Sequence, residues 1–204
     1  MKNILTLILF LPLYMFAQTE DGTFILGVNL GIVQDVEYTD LDENQYSPDM
    51  SSTFGDSDKA FQVSAGYKMS KITIGAHYKR GNINGKNDIE YHETSFNERS
   101  LFIEYDLIQR NSLILFVSGS YGEIAYDSKR YLVFDDTEIP INSPDGQSSK
   151  LGFGFGLKVL LGENFILSIQ TSRDTVEDDG FDGWDYGTEK DKFSYHSIGL
   201  SFLL

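Results

Sequence analysis

Three short stretches hold residue types that could do chemistry. In Tyr195-His196-Ser197-Ile198 a histidine stands beside a hydroxyl, the two groups that acyl transfer uses as base and nucleophile. Residues 174–187, DTVEDDGFDGWDYG, crowd carboxylates around glycines, a composition shared with calcium loops. Residues 151–159, LGFGFGLKV, place a glycine at every second position, and glycine-rich turns can cradle phosphate. None has the spacing its chemistry needs. Adjacent strand residues point to opposite faces, so His196 and Ser197 cannot meet. His77 has only Thr73 and Gly75 as same-face neighbours, and His92 lies in loop-like sequence. The acidic stretch lacks the D-x-[DN]-x-[DN]-G register with its closing Glu. In 152–156 the third glycine comes too early for a dinucleotide turn, and no helix follows. The expectation is a protein that is not an enzyme and carries no metal and no cofactor.

The chain opens MKNILTLILFLPLYMFAQ. One lysine followed by a short apolar run is too brief to span a bilayer as a helix and fits a secretory signal peptide over residues 1–17. With no cysteine there can be no disulfide and no lipidated N-terminal thiol. A formal net charge of -15 argues against nucleic acid as a partner.

Beyond residue 17 the hydrophobic period is two throughout. In TFILGVNLGIV, Phe24, Leu26, Val28, Leu30 and Ile32 oppose Thr23, Gly27, Asn29 and Gly31. AFQVSAGYKM and ITIGAHYKR flank the brief SK as a hairpin; SLFIEYDL turns through IQRN into SLILFVSGSYG. The glycine-rich stretch turns through GEN into FILSIQTSR, and FSYHSIGLSFLL ends the chain. Proline is absent from all eight segments, as hydrogen-bonded strands require. Three brief turns alternate with four long connections, drawn at 34–58, 81–98, 123–149 and 174–191. An even number of antiparallel strands with this asymmetry is the layout of an outer-membrane barrel. The chain resembles the small eight-stranded barrels typified by the OmpA transmembrane domain and OmpX. The expected fold is an all-β, eight-stranded antiparallel up-and-down transmembrane barrel over residues 18–204, with short periplasmic turns and long extracellular loops.

That fold explains the glycines. An eight-stranded barrel is just wide enough for side chains to fill it, so if Phe102, Gln62, Lys68 and Gln170 occupy the axis, Gly152, Gly154 and Gly156 are the vacant side, and Phe153, Phe155 and Leu157 meet lipid. Lys68, Lys158, Glu104 and Asp106 all lie shortly before a brief turn, and buried charges must pair. A plug of ion pairs is expected there, with Lys79, His77 and Gln170 higher up. Lys59, Arg80, Arg99, Lys150, Arg173 and Lys192 stand at the loop ends of six strands, as a ring facing the phosphates of lipopolysaccharide. Most of the 31 acidic residues fall in the long loops. Within the last loop Phe181, Trp184 and Tyr186 form the expected contact surface for a protein partner. The reading is a monomer with a closed lumen in the bacterial outer membrane, in contact with lipid and lipopolysaccharide, serving a structural, surface-contact or complex-accessory role. Its rivals are an outer-leaflet lipid-modifying enzyme of the lipid A deacylase kind, a soluble ligand-carrying barrel and a channel.

Overall fold

The computed structural model describes residues 22–37, 58–86, 90–134, 137–141, 145–177, 181 and 190–204; the expected signal peptide lies outside them. Nine strands follow in order: β1 (Gly22–Glu37), β2 (Asp58–Met69), β3 (Ile72–Lys86), β4 (Glu90–Arg110), β5 (Leu113–Phe134), β6 (Thr137–Ile141), β7 (Asp145–Leu161), β8 (Phe165–Val176) and β9 (Lys192–Leu203). Eight of them pair antiparallel, each with the next, and β9 returns to β1, so the sheet closes. The short β6 lies outside the ring, paired with the far end of β5.

Closure has a definite stagger. Paired residues followed once round, from Phe24 through Tyr67, Ile74, Ile103, Gly119, Phe153, Arg173 and Ser194, return to β1 at Gln34, ten residues further along. Such a shear tilts the strands by roughly 35–45° and leaves a bore that side chains can fill. The tight turns use left-handed backbone at Ser70, Asn111 and Gly162. A bulge between Asp106 and Ile108 sends both Leu107 and Ile108 outward, 44% and 58% exposed, which carries β4 on to Arg110.

The barrel is inside out relative to a water-soluble protein. Leu101, Phe153 and Phe155 are 60% exposed or more, whereas Glu98, Asp106 and Lys150 are 1% exposed or less. A closed outer band of Leu, Ile, Val and Phe is stable only where something apolar replaces water.

Two connections drawn as loops are largely strand. β3 runs to Lys86 and β4 begins at Glu90, while β5 reaches Phe134 and β7 begins at Asp145. The reason is a reversal of phase. In the band the outward positions of β4 and β5 are apolar: Leu101, Ile103, Tyr105, Leu113, Val117 and Tyr121. Above Arg99 and Tyr121 the inward positions Phe96, Ile124 and Tyr126 are apolar and buried, and the outward Asn97, Glu123, Asp127 and Lys129 are exposed. The two-residue period continues, but with core and surface exchanged. With 21 and 22 residues, β4 and β5 are about twice the 9–11 needed to cross a bilayer. Together with parts of β3, β6 and β7 they form an arm standing beyond the band.

Candidate functional site

The lumen is built in four storeys. At the end bearing the tight turns, Lys68 Nζ lies 2.5 Å from Asp106 Oδ2, and Lys158 Nζ lies 2.5 Å from Glu104 Oε2 and 3.8 Å from Asp106 Oδ1. Lys158 also stands 4.4 Å from the centroid of the Phe116 ring. Each of these charges comes from a strand position in phase with the inward row, and they share a depth because the register sets Lys68 opposite Thr73 and Thr73 opposite Glu104, with Asp106 two residues further along β4.

Above them is a chamber of about 80 Å³ lined by hydroxyl and amide groups, among them Ser64, Ser118, Ser168, Gln62 and Gln170. The glycines open this space for their neighbours. A Cβ at Gly152 would overlap the Asp174 carboxylate, one at Gly156 would come within 2.8 Å of the Phe116 ring, and one at Gly75 within 2.7 Å of Phe102.

The third storey is a closed square of charge. Lys79 Nζ contacts Glu98 Oε2 at 2.8 Å and Asp174 Oδ2 at 3.1 Å; Lys150 Nζ contacts Glu98 Oε1 at 2.6 Å and Asp174 Oδ1 at 2.8 Å. Two cations and two carboxylates alternate, and Glu98 also binds His77 Nε2 at 2.7 Å and the Ser100 hydroxyl at 2.8 Å. All four charged side chains are buried. A square of alternating sign is the arrangement in which each desolvated charge has two partners, so the attraction offsets a desolvation of several kcal/mol per ion.

The fourth storey is apolar. Phe96, Tyr126, Phe181 and Phe193 pack ring on ring, with Phe181 centred 5.2 Å from Phe193 and 5.7 Å from both Phe96 and Tyr126. Val33, Ala60, Ile83, Ile124, Val176 and Tyr195 complete the cluster. Tyr195 and Phe193 turn their rings toward Lys79, at 4.5 and 5.7 Å from its Nζ, joining cap to square.

Two expectations are corrected here. Lys150 does not stand in an outer ring, because it shares the phase of Gly152 and Gly154 and points into the square. Phe181 does not offer a contact surface, because it is fully buried in the cap; Trp184 and Tyr186 lie outside the described residues. Glu98 and Asp174, counted with the loops, are the carboxylates of the square. Carrying the inward phase of β4 and β8 two or three residues further would have found both.

No family model and no curated protein matches the chain. Among solved structures it is similar to Neisserial surface protein A, with a TM-score of 0.58 at 11% identity over 90% of this chain and 99% of that one. It is likewise similar to the outer membrane protein OprG of Pseudomonas aeruginosa, with a TM-score of 0.50 at 12% identity over 90% and 96% of the two chains. The chain has the fold of the small outer-membrane β-barrels. At such identity the likeness lies in backbone path and shows the fold alone.

On the outside of the barrel, Lys59, Arg80 and Arg99 are exposed on β2, β3 and β4 at the upper edge of the apolar band. Arg173 and Lys192 face outward on β8 and β9, with the Arg173 guanidinium donating to Ser194 Oγ at 2.9 Å. The cations thus form two arcs rather than a ring of six. Below the second arc His196 Nδ1 and Thr171 Oγ1 are 2.8 Å apart on the outer face, a cross-strand contact that in-strand spacing could not reveal. Among the described residues no group of three His, Asp or Glu is arranged to hold a metal ion.

Proposed function

We propose that the protein is an integral outer-membrane barrel with a closed lumen that acts outside the bilayer, as a surface-contact or complex-accessory element presenting the arm of β3–β7. One observation carries this reading: two ion-pair storeys and an aromatic cap obstruct the interior and leave a chamber of only about 80 Å³ between the charged storeys, while β4 and β5 extend far beyond the apolar band. A bore blocked on both sides of so small a chamber argues against a channel and against a carrier of small ligands. The fold neighbours named as surface and outer-membrane proteins support the location. The test is to replace residues 128–144 by Asn-Gly, so that Asp127 and Asp145, already paired, close a two-residue hairpin. Heat-modifiable migration of the variant should persist, while crosslinks to partners in intact cells should disappear; undiminished crosslinking would sink the proposal.

An enzyme acting on outer-leaflet lipid has one contact in its favour, the His196–Thr171 pair. A base touching a hydroxyl is the start of a nucleophilic site, but among the described residues no carboxylate is paired with His196. Unchanged lipid A composition in cells carrying His196→Ala would remove that rival.

A further inference from the structure

We propose that the outer face of β2–β4, at the upper edge of the apolar band, binds the phosphate of an outer-leaflet lipid through Arg99, Arg80 and Lys59. This rests on the reading that the band spans a membrane.

The register brings the three together. Arg99 pairs with Tyr78, Arg80 pairs with Asn97 on one side and Phe61 on the other, and Lys59 is two residues from Phe61. The cations therefore lie on a diagonal across three adjacent strands. The diagonal runs against the stagger of the barrel, so strand tilt brings the three to nearly one height. Diagonal neighbours have Cβ atoms roughly 7–8 Å apart, so Arg80 can share one phosphate with either flanking cation.

Among the described residues none of the three makes an ion pair, although the chain as a whole is strongly acidic. Glu123 stands directly opposite Arg99, yet its carboxylate accepts the Gln147 amide at 3.0 Å instead. The Tyr78 hydroxyl donates to Asn97 at 2.7 Å and offers no negative charge. The arc on β8 and β9 differs, since Arg173 is held by Ser194. Three adjacent like charges left unpaired repel one another unless an anion sits among them. At the edge of an apolar band the anion in supply is a lipid phosphate, which guanidinium groups grip through paired hydrogen bonds.

Beneath the cations the surface is shaped for hydrocarbon. Ala65 and Ala76 face each other across β2 and β3, both on the outer face and exposed, where other strands carry Leu, Ile or Phe. Val63 and Ile74 flank them. Two small side chains side by side lower the apolar surface at this point of the band.

The experiment uses the full chain in vesicles of phosphatidylcholine doped with lipid A carrying both phosphates, or with the same lipid enzymatically dephosphorylated. Lipid A retained per barrel should fall at least tenfold in the Lys59→Gln, Arg80→Gln, Arg99→Gln triple variant, and to the same level for wild type with dephosphorylated lipid. Lys129→Gln, an exposed cation on the arm, should retain lipid as wild type does. The paired change Arg80→Lys, Arg99→Lys should retain an intermediate amount, and reads the site should the triple variant lack heat-modifiable migration. Equal retention by the triple variant, equal loss in Lys129→Gln, or displacement by millimolar inorganic phosphate overturns the proposal. Failure of wild type to float with the vesicles would overturn the membrane reading beneath it, an outcome distinct from floating without lipid preference.

Discussion

The band and the arm use the same strands, the same two-residue period and many of the same residue types, yet assign them to opposite sides. In the band, Phe153 and Phe155 face outward while Lys79, Lys150, Glu98 and Asp174 are sealed inside. Two turns of pleat higher, Phe96, Ile124 and Tyr126 are sealed inside and Asn97, Glu123 and Asp127 face out. The strand itself is indifferent to the exchange, because its backbone bonds are satisfied by its neighbours in either case. What differs is the solvent on the outer face, and the row Tyr78, Arg99, Glu123, Ser149 marks where hydrocarbon gives way to water.

The sharpest way to break the comparison is to remove one corner of the charge square. Glu98→Leu leaves Lys79 and Lys150 sharing one carboxylate while buried, and stability measured by urea unfolding in detergent should drop by about 3–5 kcal/mol. Replacing all four corners with apolar residues of similar volume should restore most of that loss. A similar fall is expected in the cap, where Phe181→Ala removes a ring from a packed cluster at a cost of about 3–5 kcal/mol. Hydrogen exchange should show the loss at Val176 and Phe193 first.

Charge placed on the outer face should separate the two solvents. Phe155→Arg, in the band, is expected to cost about 2–4 kcal/mol, whereas Ala125→Arg, on the same face of the arm, should stay within about 0.5 kcal/mol. Spin labels at the same positions should report oxygen access at 155 and access to aqueous reagents at 125. The smallest contrast is between two glycines. Gly152→Ala would press on the Asp174 carboxylate and the Ser120 hydroxyl and should cost about 1–3 kcal/mol. Gly119→Ala points outward into open space, with only Ile103 within 4 Å, and should be neutral to within about 0.5 kcal/mol.

The eight barrel strands were legible because outward apolar residues recur at every second place over most of each strand, as in 153, 155 and 157. The inward phase of Lys68, Lys158, Asp106 and Glu104 was legible from the same alternation, whereas their common depth follows from the register across β2, β3 and β4, because β4 runs on to Arg110 before it turns. The arm was not, since a reader tracking outward apolar residues sees the signal stop at Leu101 and Tyr121 and takes the remainder for loop. Lys150 was misplaced for a related reason: its nearness to the loop outweighed its phase with Gly152. Phe181 carries no periodic signal at all. A single aromatic among carboxylates reads as exposed, and only the apolar hole left by Phe96, Tyr126 and Phe193 shows where it belongs.

The seam between β1 and β9 sets a condition on how the molecule can form. It joins Ile25 to Leu203, and the Leu204 amide donates to Phe24 O at 2.9 Å, so the seam unites the two barrel strands that are farthest apart in the sequence. Every other strand can zip to its neighbour as a local hairpin, but this one must wait for the C-terminus to arrive. Loop-closure entropy over nearly the whole polypeptide then falls on a single step, and trimming even the final few residues should stall the molecule as an open, sticky sheet.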